Sequence, residues 1–246
     1  MVAMHSPLEQ FTVSPVFTLP QQFGYDISIT NSALAMFASV LVVTLFFLIA
    51  MRKKSMVPTR MQSLAEMTYE FVQGFLDENT HGEGKKYFSF IFTLFLFILL
   101  MNLIGMVPYA FAATSHIIIT FAMGALVFIG VTLIALFKKG PIGFFKSFIP
   151  PGLPLWIGPL LLVIEMVSYL VRPFSLAIRL AANMFAGHTL MAVAAGFVIP
   201  MGIAGLVPGL FLVGLTALEV FVCILQAYVF AMLSSMYLGE ALSDHH

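Results

Sequence analysis

The chain has 246 residues, of which 61% are apolar and only 9% charged. An ordinary soluble domain carries about 25% charged residues, so a water-soluble globule is excluded. Eleven Lys and Arg balance eleven Asp and Glu, which leaves no basic field to collect nucleic acid and no acidic excess to keep the chain disordered. A lone cysteine, Cys223, excludes an intrachain disulfide framework and any multi-cysteine metal site.

Residues 1–29 carry Glu9 and Asp26 but no Lys or Arg. They lack the basic start and compact apolar core of a secretory signal, so they read as a retained polar arm. The apolar stretch 33–51 matches the roughly 20 residues that cross a bilayer and predicts a membrane helix within 30–51. Residues 52–86 form a polar loop, inside which Met61, Leu64, Ala65, Thr68, Phe71, Val72 and Phe75 recur at helical spacing over 58–79. This predicts an amphipathic helix at the membrane surface, where packing and anchorage explain it better than a site does. Stretches 87–107 and 117–137 predict a transmembrane hairpin over 87–137 with its tip near 109–115. A loop over 138–154 follows, containing Pro150, Pro151 and Pro154. Segment 155–240 holds two longer apolar runs separated by a Pro- and Gly-rich break over 200–208, and 241–246 is a tail.

Outside the two long runs, positive charge sits in three places: Arg52, Lys53, Lys54 and Arg60; Lys85 and Lys86; and Lys138, Lys139 and Lys146. The positive-inside rule puts these loops in the cytoplasm, the N-terminal arm outside and the C-terminal tail inside. The expected fold is an all-α polytopic membrane protein of about five membrane helices plus one amphipathic surface helix. The last two helices are long, strongly tilted and paired as a hairpin. Tilt follows from length, because 160–195 as one helix runs about 54 Å while the hydrocarbon core is about 30 Å thick. Either a break at Pro173 or a tilt of about 55 to 60 degrees absorbs the excess.

The two long runs contain Glu165, Arg172, Arg179, His188 and Glu219. An ionisable group in lipid costs about 2.5 to 3.5 kcal/mol on insertion scales, so five of them call for a function. At about 100 degrees per residue, Glu165, Arg172 and Arg179 fall within roughly 40 degrees of one helix face, and Asn183 extends that stripe. If the hairpin turns near 202–203, three pairs meet at equal depth: His188 with Glu219, Asn183 with Cys223, and Arg179 with Gln226. A histidine and a carboxylate can exchange a proton near neutral pH. Arg179 is a fixed positive charge whose natural partner is an anion, and no carboxylate of its own chain is obviously left for it. A buried Asp or Glu on another polypeptide would serve, and Ala177, Ala181, Ala182, Ala186 and Gly187 are small enough for a close helix contact. Pairing with Glu165 accounts for Arg172 as well as a direct role does, and interhelical hydrogen bonding accounts equally for Asn183 and Gln226. Glu240 and Asp244 read as solvated tail, and His5, His81 and His116 as loop residues. No phosphate loop, HExxH or G-x-S-x-G is present. An intramembrane hydrolase would need Ser168 or Ser175 beside His188, and nothing in the spacing puts them together.

The run PFSLAIRLAANMFAGHTL at 173–190, the run 218–232 with Glu219 and Gln226, and MNLIGMVP at 101–108 together resemble subunit a of the F-type ATP synthase. The likeness covers nearly the whole chain. It implies a proton-translocating stator with no catalytic site and no cofactor or metal of its own, in a bacterial inner membrane rather than a mitochondrial one. In that family the arginine matching Arg179 faces the essential carboxylate of the c-subunit ring and separates two offset half-channels. Residues matching Glu165, Asn183, His188, Glu219 and Gln226 line or shape those channels, with Arg172 and Asn102 as auxiliary candidates. Many bacterial members carry Glu where His188 stands and His where Glu219 stands, so this chain resembles the mitochondrial arrangement. The implied partners are the c-ring, b-type peripheral stalk subunits, the remainder of the complex and the lipid bilayer, with no nucleic acid. The alternative is a self-contained secondary transporter or ion channel in which Arg179 binds an anionic substrate, although the internal repeats usual in such folds are absent from the sequence.

Overall fold

The computed structural model describes residues 12–17, 28–52, 58–107, 110–148 and 158–243. Most of the N-terminal arm with His5, Glu9 and Asp26, the lysines Lys53 and Lys54, the prolines Pro150, Pro151 and Pro154, part of the first hairpin tip, and Asp244 with the terminal histidines lie outside them.

Helix α1 spans Asn31–Ala50 and is capped by Thr30, whose hydroxyl accepts from the Ala33 N–H at 3.3 Å. A short antiparallel pair, Pro15–Phe17 with Ile29–Thr30, leads into it. Asn31 ties this arm to the helix, its backbone N–H donating to Ser14 O and its side chain to Thr12 O, both at 3.1 Å. Helix α2, Arg60–Thr80, starts on the Thr59 cap. It ends where His81 and Gly82 both take positive φ, 51° and 84°, which turns the chain sharply into the short 3-10 helix Glu83–Tyr87. Helix α3 follows over Phe88–Gly105, and a second 3-10 turn, Ala113–Ser115, leads into α4, Ile117–Lys146. Gly140 breaks α4 with φ 71° and ψ 167°, and Pro141 restarts it with a fixed helical φ and no missing donor. The expected cytoplasmic loop over 138–154 thus begins as helix.

Helices α5, Gly158–Val198, and α6, Leu206–Leu242, are 41 and 37 residues long, or about 60 and 55 Å at 1.5 Å per residue. Pro159 sits in the first turn of α5, where proline is well tolerated. Pro173 does not end α5. Its carbonyl is accommodated because Gly124 of α4 lies directly against it, and a Cβ there would meet Pro173 O at 2.8 Å.

Five helices are long and apolar enough to cross a membrane, among the described residues. The chain is an all-α polytopic membrane protein. Helix α3 lies at its centre, with Ile91, Ile98 and Met101 buried against α1, α2 and α6. Helices α4, α5 and α6 form a second layer in which Val127, Leu180, Phe230 and Ala231 close the core. Where backbones approach, the residues are small: Gly239 of α6 sits on the Asn79 carbonyl of α2, and Asn79 donates to Ser235 Oγ at 2.8 Å. Helix α2 is therefore packed into the bundle as well as amphipathic. Its buried seam includes Gln62, Ala65, Val72, Phe75 and Leu76, while Met61, Leu64 and Phe71 of the apolar face are exposed. In a lipid-facing protein apolarity alone does not say which side packs.

Candidate functional site

The α5–α6 hairpin sets the register of the polar groups. Its turn uses Gly202 at φ 56° and Gly205, which lies so close to the Val198 carbonyl that no side chain would fit. Met191 faces Thr216, whose hydroxyl is 3.7 Å from its sulfur, and Met184 faces Cys223, sulfur to sulfur 3.6 Å. Both pairs are centred midway between Ile203 and Ala204, next to the turn expected from the sequence. In this register Glu219 is 8% exposed and its carboxylate rests directly on Gly187, at a spot a Cβ would occupy. His188, half-buried, follows Gly187 on the same turn.

One and two helical turns further along α6, Cys223 and Gln226 are buried. Asn102 of α3, fully buried, donates from Nδ2 to the Cys223 carbonyl at 3.3 Å. Its Oδ1, Glu219 Oε1 and Gln226 Nε2 are buried without a hydrogen-bond partner. A buried polar atom left unsatisfied costs about 1 to 3 kcal/mol, so these three atoms mark the seam between α3, α5 and α6 as its polar part. Asn183, expected opposite Cys223, is half-buried one position away, because Met184 takes the inward place. Arg179 and Gln226 do not pair: Leu180 is the inward residue at that level, and no hydrogen bond or ion pair joins Arg179 to Gln226.

At the end of the bundle that carries the lysines, Arg172 is a hub. Its guanidinium pairs with Glu165 at 3.7 Å, bonds Glu240 of α6, and lies over the rings of Tyr169 and Tyr237 at 5.5 and 4.8 Å. The Tyr169 hydroxyl is 2.6 Å from Thr132 Oγ1 on α4. Glu165, Tyr169, Arg172, Tyr237, Glu240 and Lys139 line a cavity of about 320 Å³ between α4, α5 and α6. Glu240 is thus no solvated tail residue, as the sequence suggested, but a helical carboxylate engaged across the hairpin.

Arg179 has a different setting. It is exposed on α5 among Phe174, Ile178, Ala182, Phe185 and Ala186, also exposed. Among the described residues it forms no ion pair or hydrogen bond. Glu165 and Glu240 are both taken by Arg172. The single polar stripe read from helical spacing therefore divides into an inward-paired Arg172 and an outward Arg179. The small residues divide too: Ala177 and Ala181 are buried in the bundle, whereas Ala182 and Ala186 flank Arg179 outside.

Two further buried polar groups lie at the opposite end of the bundle. Thr114, fully buried, and His116 Nε2 have no hydrogen-bond partner, and their 3-10 turn packs on α3, α4 and α5. The polar triplet Thr114, Ser115 and His116 between two apolar spans was the available signal. No group of three or more His, Cys, Asp and Glu that could hold a metal occurs among the described residues.

A profile of the ATP synthase A chain matches residues 33–239. The ATP synthase subunit a of Pelagibacter ubique (strain HTCC1062) is 47% identical over 98% of this chain and 99% of its own length. That of Rhodospirillum rubrum is 47% identical over 98% and 100%, and that of Wolbachia sp. subsp. Drosophila simulans (strain wRi) is 46% identical over 96% and 98%. Taken with five membrane helices and a polar seam at the hairpin, these matches place the chain in the ATP synthase A chain family, as a proton-translocating membrane subunit of that complex.

Proposed function

We propose that this chain is the stator that feeds protons to, and collects them from, a ring of c subunits, with Arg179 dividing two offset half-channels. The observation that carries the reading is the Arg179 guanidinium, unpaired among the described residues. Arg179 cannot shed its proton, it stands on an exposed apolar face, and the two nearby acids of its own chain are engaged by Arg172. A membrane-buried carboxylate on a neighbouring chain answers both its charge and its direction, with Ala182 and Ala186 leaving room for that helix.

The half-channels follow from where the polar groups lie. One runs from Thr114 and His116, at the end away from the lysines, along Asn102, Asn183, His188, Glu219 and Gln226. The orphaned atoms on that seam support its wetting. The other is the 320 Å³ cavity with Glu165, Arg172 and Glu240. With the lysine-rich end in the cytoplasm by the positive-inside rule, the first opens outside and the second inside, the N-terminus is outside and the C-terminus inside. A ring carboxylate opposite Arg179 is held ionised, and a proton crossing directly is repelled, so transfer is tied to rotation. Each proton moved down 100 mV releases about 2.3 kcal/mol. The b-type stalk subunits and the remainder of the complex hold this chain still against the ring. The self-contained transporter has no observation of its own in the structure.

The test is Arg179→Ala in membrane vesicles. Gradient-driven ATP synthesis is lost while the complex still assembles, because among the described residues Arg179 makes no hydrogen bond or ion pair that the fold would lose. Normal synthesis by that variant overturns the reading.

A further inference from the structure

The lysine-rich end holds a second cleft, distinct from the Arg172 cavity, of about 570 Å³. It lies where the 3-10 helix Glu83–Tyr87 meets the end of α4, with Lys85, Lys86, Lys138 and Glu83 on its polar side and Ile134 and Phe137 on its apolar side. The charges are unequal. Lys138 is committed, with Nζ 2.6 Å from Glu83 Oε2 and a second bond to the Leu242 carbonyl. Lys85 and Lys86 are exposed and pair with no acid among the described residues. Two uncompensated positive charges therefore face the cleft. Its other wall continues onto the outside of a membrane helix, where Phe137 is 86% exposed.

We propose that this cleft binds the headgroup of an anionic phospholipid. Its phosphate sits on the Lys85 and Lys86 ammonium groups, and its acyl chains run down α4 over Phe137 and Ile134. A charged cleft open to water alone would suit any small anion. This one is bounded by two membrane-spanning helices, α3 starting at Phe88 and α4 ending its apolar run near Phe137, and only a lipid satisfies the ammonium groups and the exposed aromatic wall together. Basic pockets between membrane helices recognise such headgroups by charge, each nearby Lys favouring an anionic lipid severalfold. Site occupancy would tie the 3-10 helix to α4 from outside, adding to the Lys138–Glu83 bridge.

The experiment uses the whole ATP synthase complex in nanodiscs doped with a photoreactive phosphatidylglycerol or its phosphatidylcholine counterpart, with crosslinks mapped by mass spectrometry. Phosphatidylglycerol labels 82–87 or 134–142 about tenfold more than phosphatidylcholine, Lys85→Gln with Lys86→Gln removes most of the difference, and Lys85→Arg with Lys86→Arg keeps it. Equal labelling by the two lipids, or a preference indifferent to the glutamine substitutions, overturns the proposal. Suppression of labelling by millimolar inorganic phosphate overturns it in favour of a free-anion site. Should the glutamine variant not assemble, the lipid preference of the unmodified complex and of the arginine variant still decides.

Discussion

Gly187 is the position at which the smallest change reaches the chemistry. A Cβ added there overlaps the Glu219 carboxylate, and because the obstructing atoms are the far end of a flexible side chain, the backbone need not move. Gly187→Ala therefore assembles. Restoring ordinary contact at 3.4 Å or more obliges the carboxylate to retreat by more than about 1 Å, and a displacement of that size at a reacting group costs up to about 100-fold in rate, equivalent to roughly 2.7 kcal/mol. Passive proton flux through inverted vesicles stripped of the catalytic sector reads this directly, with the amount of assembled complex measured in parallel. The expected result is a loss of at least tenfold in flux at unchanged assembly. Adding Glu219→Asp shortens the side chain by one methylene and returns part of the flux. Flux within twofold of the unmodified chain in Gly187→Ala would show that Glu219 does not carry protons from where it lies.

Exchanging the pair, His188→Glu with Glu219→His, is tolerated better than either single change, measured by ATP-driven proton pumping; an exchange no better than the singles ends the paired-relay idea. Gly239→Ala drives a Cβ into the Asn79 backbone carbonyl, which cannot swing aside, so the α2–α6 contact loosens by about 1 to 3 kcal/mol and the detergent-solubilised complex melts earlier. Gly74→Ala is the control. Nothing lies within 4 Å of it, and on an exposed helix alanine is favoured by about 0.5 to 1 kcal/mol, so melting unchanged or slightly later is expected and an earlier transition counts against the packing described. Asn102→Leu fills the seam with hydrocarbon where Oδ1 is buried and unpartnered, and proton flux falls while the fold is kept; undiminished flux argues against wetting along that seam.

Helix number and order were legible because membrane spans are set by length and apolarity, two quantities printed in the residues themselves. The hairpin turn was legible from the Pro- and Gly-rich break, and the observed register centres next to the expected 202–203, although two of the three expected polar pairs do not meet. Rotation about a helix axis was not. Met184 and Leu180, rather than Asn183 and Arg179, point inward because close packing on α3 and α6 selects the shape of a side chain, not its polarity. On α2 the apolar pattern likewise does not separate buried Val72 and Phe75 from exposed Leu64 and Phe71. Glu240 was misread because its partner Arg172 lies far away in sequence, across a hairpin whose ends meet only once both long helices are formed.

On the proposed function, the countercharge of Arg179 comes from another chain. A map of the whole complex at side-chain resolution tests it most directly. The account predicts the Arg179 guanidinium facing a membrane-embedded carboxylate of an adjacent ring helix, with Ala182 and Ala186 in contact with that helix. Arg179 turned onto Glu165 or Glu240, with Arg172 displaced and no foreign helix alongside, would contradict it.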